Sequence, residues 1–251
     1  MDALLQLRGL TKCFGGLMAV NSLDLEVSPG EVKGLIGPNG AGKTTVMNLI
    51  SGVYRPTSGK VAFKGLDITG LKPHETSQRG IRRTFQQNAA FKDFTVLQNM
   101  IVAFHLSRRA SPWTLWEKSA VEEQAVRLLQ QLGLGGMAHQ TARNLPHGHL
   151  RILGLAMALA LDADVLLLDE PFAGMTQKEI SAMSSAIVAI AGESSGPSVL
   201  LVEHNVAAVM SLCSRVAVLD FGKKIAEGSP YEVRQDPQVI KAYLGGGAYA
   251  A

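Results

Sequence analysis

The chain has 251 residues, 47% of them hydrophobic and 18% charged, which is enough apolar material for a packed core and excludes an intrinsically disordered chain. Its net charge of +3 comes without a long Lys/Arg run, so charge points to no nucleic-acid partner. Two cysteines, Cys13 and Cys213, make no disulfide framework and are expected as small buried or half-buried residues in a reducing compartment.

Residues 1–5 lack a basic region followed by an apolar run, so no signal peptide is expected. Strand-like runs come early, at 4–7, 23–27 and 32–36, with Ser28-Pro29-Gly30-Glu31 as a turn between the last two. A helix is predicted from about Lys43 through Val46, Met47, Leu49 and Ile50, with Gly52 as its stop and Pro56 just beyond. A strand at 61–63 follows. From about 88 to 161 the spacing turns helical, with Val121, Ala125, Leu128, Leu129 and Leu132 on one stripe. The longest apolar run, 153–161, is far short of the roughly 20 residues that span a bilayer. Strands return at 165–168, 199–202 and 216–219, and Phe221-Gly222-Lys223 reads as a hairpin turn into 224–226. The glycine-rich tail after Gly245 is expected to fray.

The chemistry is concentrated in four places. Gly37-Pro38-Asn39-Gly40-Ala41-Gly42-Lys43-Thr44 follows a strand and opens a helix, and Thr45 continues it. Glycines let the backbone wrap a phosphate, the N–H groups at a helix start favour anions, Lys43 brings a charge to the β- and γ-phosphates, and Thr44 offers a hydroxyl to Mg²⁺. This is a P-loop, and it points to ATP. The run Val165-Leu166-Leu167-Leu168 ends in Asp169-Glu170. Alone, two acids after a strand are equally a solvated edge or a helix cap; beside a P-loop they supply a Mg²⁺ carboxylate and a general base for the attacking water. His204 follows the next strand; alone such a His is more often a turn residue than a catalytic one, but this strand should lie beside the P-loop strand, from where the imidazole could reach the γ-phosphate. Gln86, in Thr84-Phe85-Gln86-Gln87, offers an uncharged amide to Mg²⁺ and water.

The order P-loop, Gln86, helical segment, Asp169-Glu170, His204 resembles the ATP-binding subunit of an ABC transporter over nearly the whole chain. The stretches 14–21, 80–86, 169–175 and 217–228 are similar to the high-affinity branched-chain amino acid uptake family, and within it to the longer of its two ATPase subunits. The resemblance implies an α/β P-loop fold with a RecA-like core (about 1–87 and 162–230), a small antiparallel β part, an inserted helical lobe (about 88–161) and a C-terminal extension (about 231–251), all in one ATP-binding domain. It implies ATP hydrolysis with Mg²⁺, held by Thr44, Gln86 and Asp169, with Glu170 as base and His204 at the γ-phosphate. It also implies a second ATPase subunit, membrane permease subunits, an extracytoplasmic substrate-binding protein acting indirectly, and a peripheral place on the cytoplasmic face of the cell membrane. Phe14 matches the aromatic that stacks on adenine; read alone, it is equally a core residue. Thr176 stands where the family's inter-subunit loop usually has Asn or Asp.

The family's Leu-Ser-Gly-Gly-Gln signature falls on Leu145-Pro146-His147-Gly148-His149. Gly148 keeps its place, while Pro146 removes a hydroxyl and an N–H. Pro146, His147 and Gly148 are the expected contacts to the partner's nucleotide. His147 and His149 are too few for a metal site. Phe91 and Phe94 either line a groove for a permease helix or pack inside the lobe. Two rival readings remain: a soluble ABC-type ATPase uncoupled from transport, and a weakly hydrolysing regulatory partner.

Overall fold

The protein is described by a computed structural model that covers residues 3–84, 90–107, 118–192 and 196–244. The expected tail after Gly245, and Gln86 with its neighbours, lie outside the described residues.

Strands β3 (Val32–Ile36), β7 (Val165–Asp169) and β8 (Ser198–Val202) are buried along their whole length. That is why 165–168 and 199–202 read as unbroken apolar runs, and why β3 carries a charge only at Lys33: a parallel strand covered on both faces has no polar side to alternate with. They belong to a six-stranded sheet that also holds β6 (Ile81–Thr84), β9 (Arg215–Asp220) and β10 (Lys223–Gly228), in the order β10-β9-β3-β8-β7-β6. Every pairing in it is parallel except β9 with β10, the hairpin at Phe221-Gly222. Strand β8 does lie beside the P-loop strand β3.

A second, antiparallel sheet has the order β2-β1-β4-β5, from β1 (Leu5–Phe14), β2 (Leu17–Val27), β4 (Ser58–Phe63) and β5 (Leu66–Asp67). Strands β1 and β2 run well past the apolar stretches at 4–7 and 23–27. Their outer halves still pair, Cys13 with Met18 and Phe14 with Leu17, through shifted registers. There the backbone ladder continues where burial stops, so hydrophobic alternation could not reveal it.

Successive residues of the large sheet feed two different cores, because strand side chains alternate between faces. Val199 and Leu201 join Leu166 and Leu168 in one cluster; Leu200 and Val202 join Val165 and Leu167 in the other. The second cluster is closed by helix α1 (Lys43–Ile50) and the antiparallel sheet. The first runs without a break into helices α3 (Val96–His105), α4 (Lys118–Gln131) and α5 (His147–Ala160), so this helical stretch shares its core with the sheet. Ala125, Leu129 and Leu132 of the predicted stripe are buried there. Helix α2 (Pro73–Gln78) leads into β6, and α6 (Gln177–Ala191) and α7 (Val206–Leu212) link the later strands. Helices α8 (Pro230–Gln235) and α9 (Pro237–Leu244) follow β10. No helix among the described residues is long and apolar enough to cross a membrane.

Phe91 and Phe94 do not pack inside the helical stretch. Both are more than two-fifths exposed, and their rings meet at 5.4 Å. Buried Asn99 fixes the loop beneath them, accepting from the Phe91 N–H at 2.7 Å and donating to the carbonyls of Phe91 and Thr95. Cys13 is half-buried and Cys213 buried, with burial pushing the Cys213 thiol up to about 12.

One charge sits inside this frame, within the strand-like run at 32–36. Lys33 is 2% exposed and reaches Glu227 of β10 at 2.7 Å, Glu31 at 3.6 Å and the Glu26 carbonyl. Burial pulls the Glu227 carboxyl up, but hydrogen bonds and charge from Lys224 and Lys33 outweigh it, so it lies below the usual carboxylate range. A depressed folded pKa means stability that is present at neutral pH and lost as pH falls through that folded value. Replacing Lys33→Ala leaves Glu31 without its cation and Glu227 with Lys224 alone, and is expected to cost roughly 3 kcal/mol in urea unfolding at pH 7. The loss should shrink in the same measurement at pH values low enough to protonate Glu227.

Candidate active site

The P-loop occupies the turn between β3 and α1. Gly42 caps the helix at φ +101°, and a Cβ there would lie 2.3 Å from the Ala19 carbonyl oxygen. At Gly37 a Cβ would lie 2.0 Å from the Leu219 carbonyl oxygen. These two glycines are therefore required by the protein's own backbone on the outside of the turn. Gly40, at φ +81°, faces open space. Asn39, Gly40 and Thr44 are exposed, and Thr45 is half-buried. Lys43 is buried, and its ammonium donates to the carbonyls of Gly37 at 2.7 Å and Pro38 at 2.9 Å. Burial lowers the Lys43 pKa, and the nearby carboxylates of Glu170 and Asp169 partly offset that.

Asp169 ends β7 and is 4% exposed. Arg83 of β6 meets its Oδ2 at 2.7 Å. Its Oδ1 is buried and has no hydrogen-bond partner among the described residues. An orphaned carboxylate oxygen, and a hydroxyl such as that of Thr44, suit a hard divalent cation that takes its other ligands from phosphate and water.

Glu170 follows with φ +49°, a conformation that a non-glycine residue holds only when its surroundings insist. Its N–H donates to the Val202 carbonyl at 2.8 Å. From α5, Arg151 donates to the Glu170 carbonyl at 2.9 Å and the Pro171 carbonyl at 3.1 Å. The side chain is only partly exposed, and Oε1 lies 2.6 Å from Nε2 of His204. Beneath them Glu203, 4% exposed, accepts from the backbone N–H groups of Phe172 at 2.6 Å and His204 at 3.0 Å. Burial raises the Glu203 pKa despite those bonds. A strained carboxylate hydrogen-bonded to an imidazole, beside a second carboxylate and a phosphate cradle, can activate a water against a terminal phosphate.

The structure thus brings together Lys43, Asp169, Glu170 and His204. Phe14 is 41% exposed, edge-on to Tyr54 at 5.2 Å and under the Lys12 ammonium at 4.9 Å, so it is not a core residue. Pro146, His147 and Gly148 stand apart at the start of α5. No hydrogen bond among the described residues joins them to the P-loop, Asp169, Glu170 or His204. Their neighbour is α6: a Cβ on Gly148 would lie 2.2 Å from Glu179 Oε1. Glu179 is held below its usual range by the N–H and hydroxyl of Thr176, with His149 and His147 adding to this. Thr176 is the N-cap of α6 in a capping box with Glu179, a role that Asn or Asp also fills.

Sequence reasoning missed three residues that hold the site: Arg83, Arg151 and Glu203. Glu203 carried a faint signal, as an acid beside His204 at the end of a buried strand. The two arginines carried none, because their partners are distant in sequence.

The fold and this site define a P-loop nucleoside triphosphatase. The family model "ABC transporter" matches residues 20–173, and "Branched-chain amino acid ATP-binding cassette transporter" matches residues 223–249. The chain is 37% identical over 250 residues to the high-affinity branched-chain amino acid transport ATP-binding protein BraF of Pseudomonas aeruginosa, covering 96% of this chain and 98% of that protein. It is 36% identical, with the same coverage, to LivG of Escherichia coli, which carries the same description. A crystal structure of an ABC transporter ATP-binding cassette in its ADP conformation superposes with a TM-score of 0.84 at 28% identity, covering 98% of this chain and 100% of that one. The chain belongs to the ABC transporter ATP-binding family: it is an ATP-binding subunit and an ATPase coupled to transport.

Gly42→Ala is expected to strain the cradle by about 1–3 kcal/mol and push it off the Ala19 carbonyl. Thermal unfolding should shift down, and calorimetry should show ATP binding weakened at least tenfold.

Proposed function

We propose that this chain powers uptake of branched-chain amino acids or close analogues, hydrolysing ATP at the site built from Lys43, Asp169, Glu170 and His204. The observation that carries the hydrolytic part is the 2.6 Å bond between Glu170 Oε1 and His204 Nε2. In this reading Lys43 leaves its loop carbonyls to neutralise the β- and γ-phosphates. Glu170 takes the proton of the attacking water, and His204 orients Glu170 and meets the γ-phosphate. Asp169, the Thr44 hydroxyl and Gln86 would hold Mg²⁺, which would supply positive charge for the phosphate oxygens. The P-loop N–H groups of Gly37 to Thr45 cradle the phosphates, and Phe14 offers its exposed face to adenine. The segment 88–161 acts as the lobe that carries the signature, within one ATP-binding domain.

Glu170→Gln keeps the shape of the side chain and loses the proton acceptor. ATP affinity should persist while steady-state hydrolysis in the assembled complex falls at least about 10²-fold. Turnover that survives the change removes Glu170 from the chemistry.

The signature supports a heterodimeric partnership, seated at the cytoplasmic face of the membrane with permease subunits and, indirectly, a substrate-binding protein. Pro146 brings no hydroxyl and no N–H to a nucleotide across the interface, and each lost charge-assisted bond is worth about 1.5–3 kcal/mol. A homodimer carries that weakness twice. A heterodimer carries it once and pairs this chain's P-loop with the partner's own signature. Hydrolysis then runs mainly at the site using Lys43 and Glu170 of this chain. Two complexes test this, one with Glu170→Gln here and one with the matching change in the partner. The first should lose nearly all turnover and the second clearly less; equal loss, or brisk hydrolysis by this chain alone, would sink the asymmetric reading.

A further inference from the structure

We propose that Arg83 is a positioning residue that holds the Asp169 carboxylate ready for the divalent cation. This rests on the reading of Asp169 as a cation ligand. A carboxylate that is 4% exposed needs a hydrogen-bonding partner inside the fold. Lys43 is not that partner by contact, since its ammonium is bonded to Gly37 and Pro38. Arg83 is, with Nη2 at 2.7 Å from Oδ2.

Arg83 is anchored toward the far end of α1, away from the P-loop. Its Nη1 donates to Asn48 Oδ1 at 2.5 Å and Ser51 Oγ at 3.3 Å. Asn48 follows Thr44 by four residues in α1 and so lies on the same helix face, one turn farther from the P-loop. The guanidinium is therefore anchored one helical turn beyond Thr44. It takes one oxygen of Asp169 and leaves Oδ1, buried and unpartnered, for the ion. A planar fork can reach a carboxylate, an amide and a hydroxyl at once; an ammonium on a flexible stem cannot hold all three in fixed geometry. Ser51 is itself anchored, its hydroxyl donating to Met47 O at 2.8 Å and its carbonyl accepting from Thr76 of α2 at 3.0 Å. The carboxylate is thus braced against α1, α2 and β6 together.

Groups that orient a metal ligand typically contribute about 10–100-fold to metal affinity. The test measures Mn²⁺ dissociation from the full chain with ADP by electron paramagnetic resonance, and ADP affinity in EDTA by calorimetry. Arg83→Met should weaken Mn²⁺ about tenfold and leave metal-free ADP affinity within about twofold, while Arg83→Lys should recover part of the loss. If Arg83→Met does not fold by circular dichroism, Arg83→Lys and Asn48→Ala carry the test, each with roughly threefold weaker Mn²⁺. Unchanged or tighter Mn²⁺ binding in the folded variants overturns the proposal. Asp169→Asn separates the two readings: Mn²⁺ affinity unmoved by it would overturn the assignment of Asp169 and, with it, the role of Arg83.

Discussion

Three buried parallel strands, β3, β8 and β7, end side by side, and the hydrogen-bonded register between them governs the site. Leu35 pairs with Val202, and Asp169 pairs with Val202 from the other side. Reactive groups placed immediately beyond these strands therefore emerge together, at the carboxyl edge where open α/β sheets bind ligands. The P-loop leaves β3, the two acids leave β7, and Glu203 and His204 leave β8. Each segment brings one function, and the sheet supplies their adjacency.

That edge is crowded with buried charge, and the structure answers each one locally. Lys43 is met by loop carbonyls, Asp169 by Arg83, and Glu203 by the backbone N–H groups of Phe172 and His204. These bonds also carry mechanical information. Glu203 joins the turn after Glu170 to the turn that presents His204. Arg151 joins the same turn to α5, whose first residues form the altered signature. A shift of α5 would therefore be felt at the strained Glu170 backbone, because both ends of that connection are packed or hydrogen-bonded rather than loose. Beside it a cleft of about 410 Å³, lined by Arg82, Arg83, Leu150, Arg151, Leu168 and Asp169 among others, separates α5 from α2 and β6.

The altered signature is locally well built. Pro146 has the φ that a helix entry accepts, and the missing N–H costs nothing at a position where helix donors are unpaired in any case. Gly148 makes room for Glu179, and Thr176 caps α6.

By itself the sequence determined the parts that depend on neighbours along the chain. The P-loop, the helix stop after Ile50 and the buried strands at 32–36, 165–168 and 199–202 were legible because glycine geometry and short apolar-rich runs leave local signatures. So did the acids of β7 and His204, since each sits at the end of such a run. Tertiary structure alone decided the rest. The outer halves of β1 and β2 pair where no burial pattern marks them. Lys33 hides in an apolar strand because Glu227, far along the chain, comes to it. Arg83 and Arg151 became part of the site only when β6 was laid against β7 and α5 against the Glu170 turn. Phe14, equally a core residue or an exposed ring when read alone, was placed at the surface by Tyr54 and Lys12. A charge or a ring has no periodicity that names its partner, so contacts between distant segments stay unwritten until the chain folds.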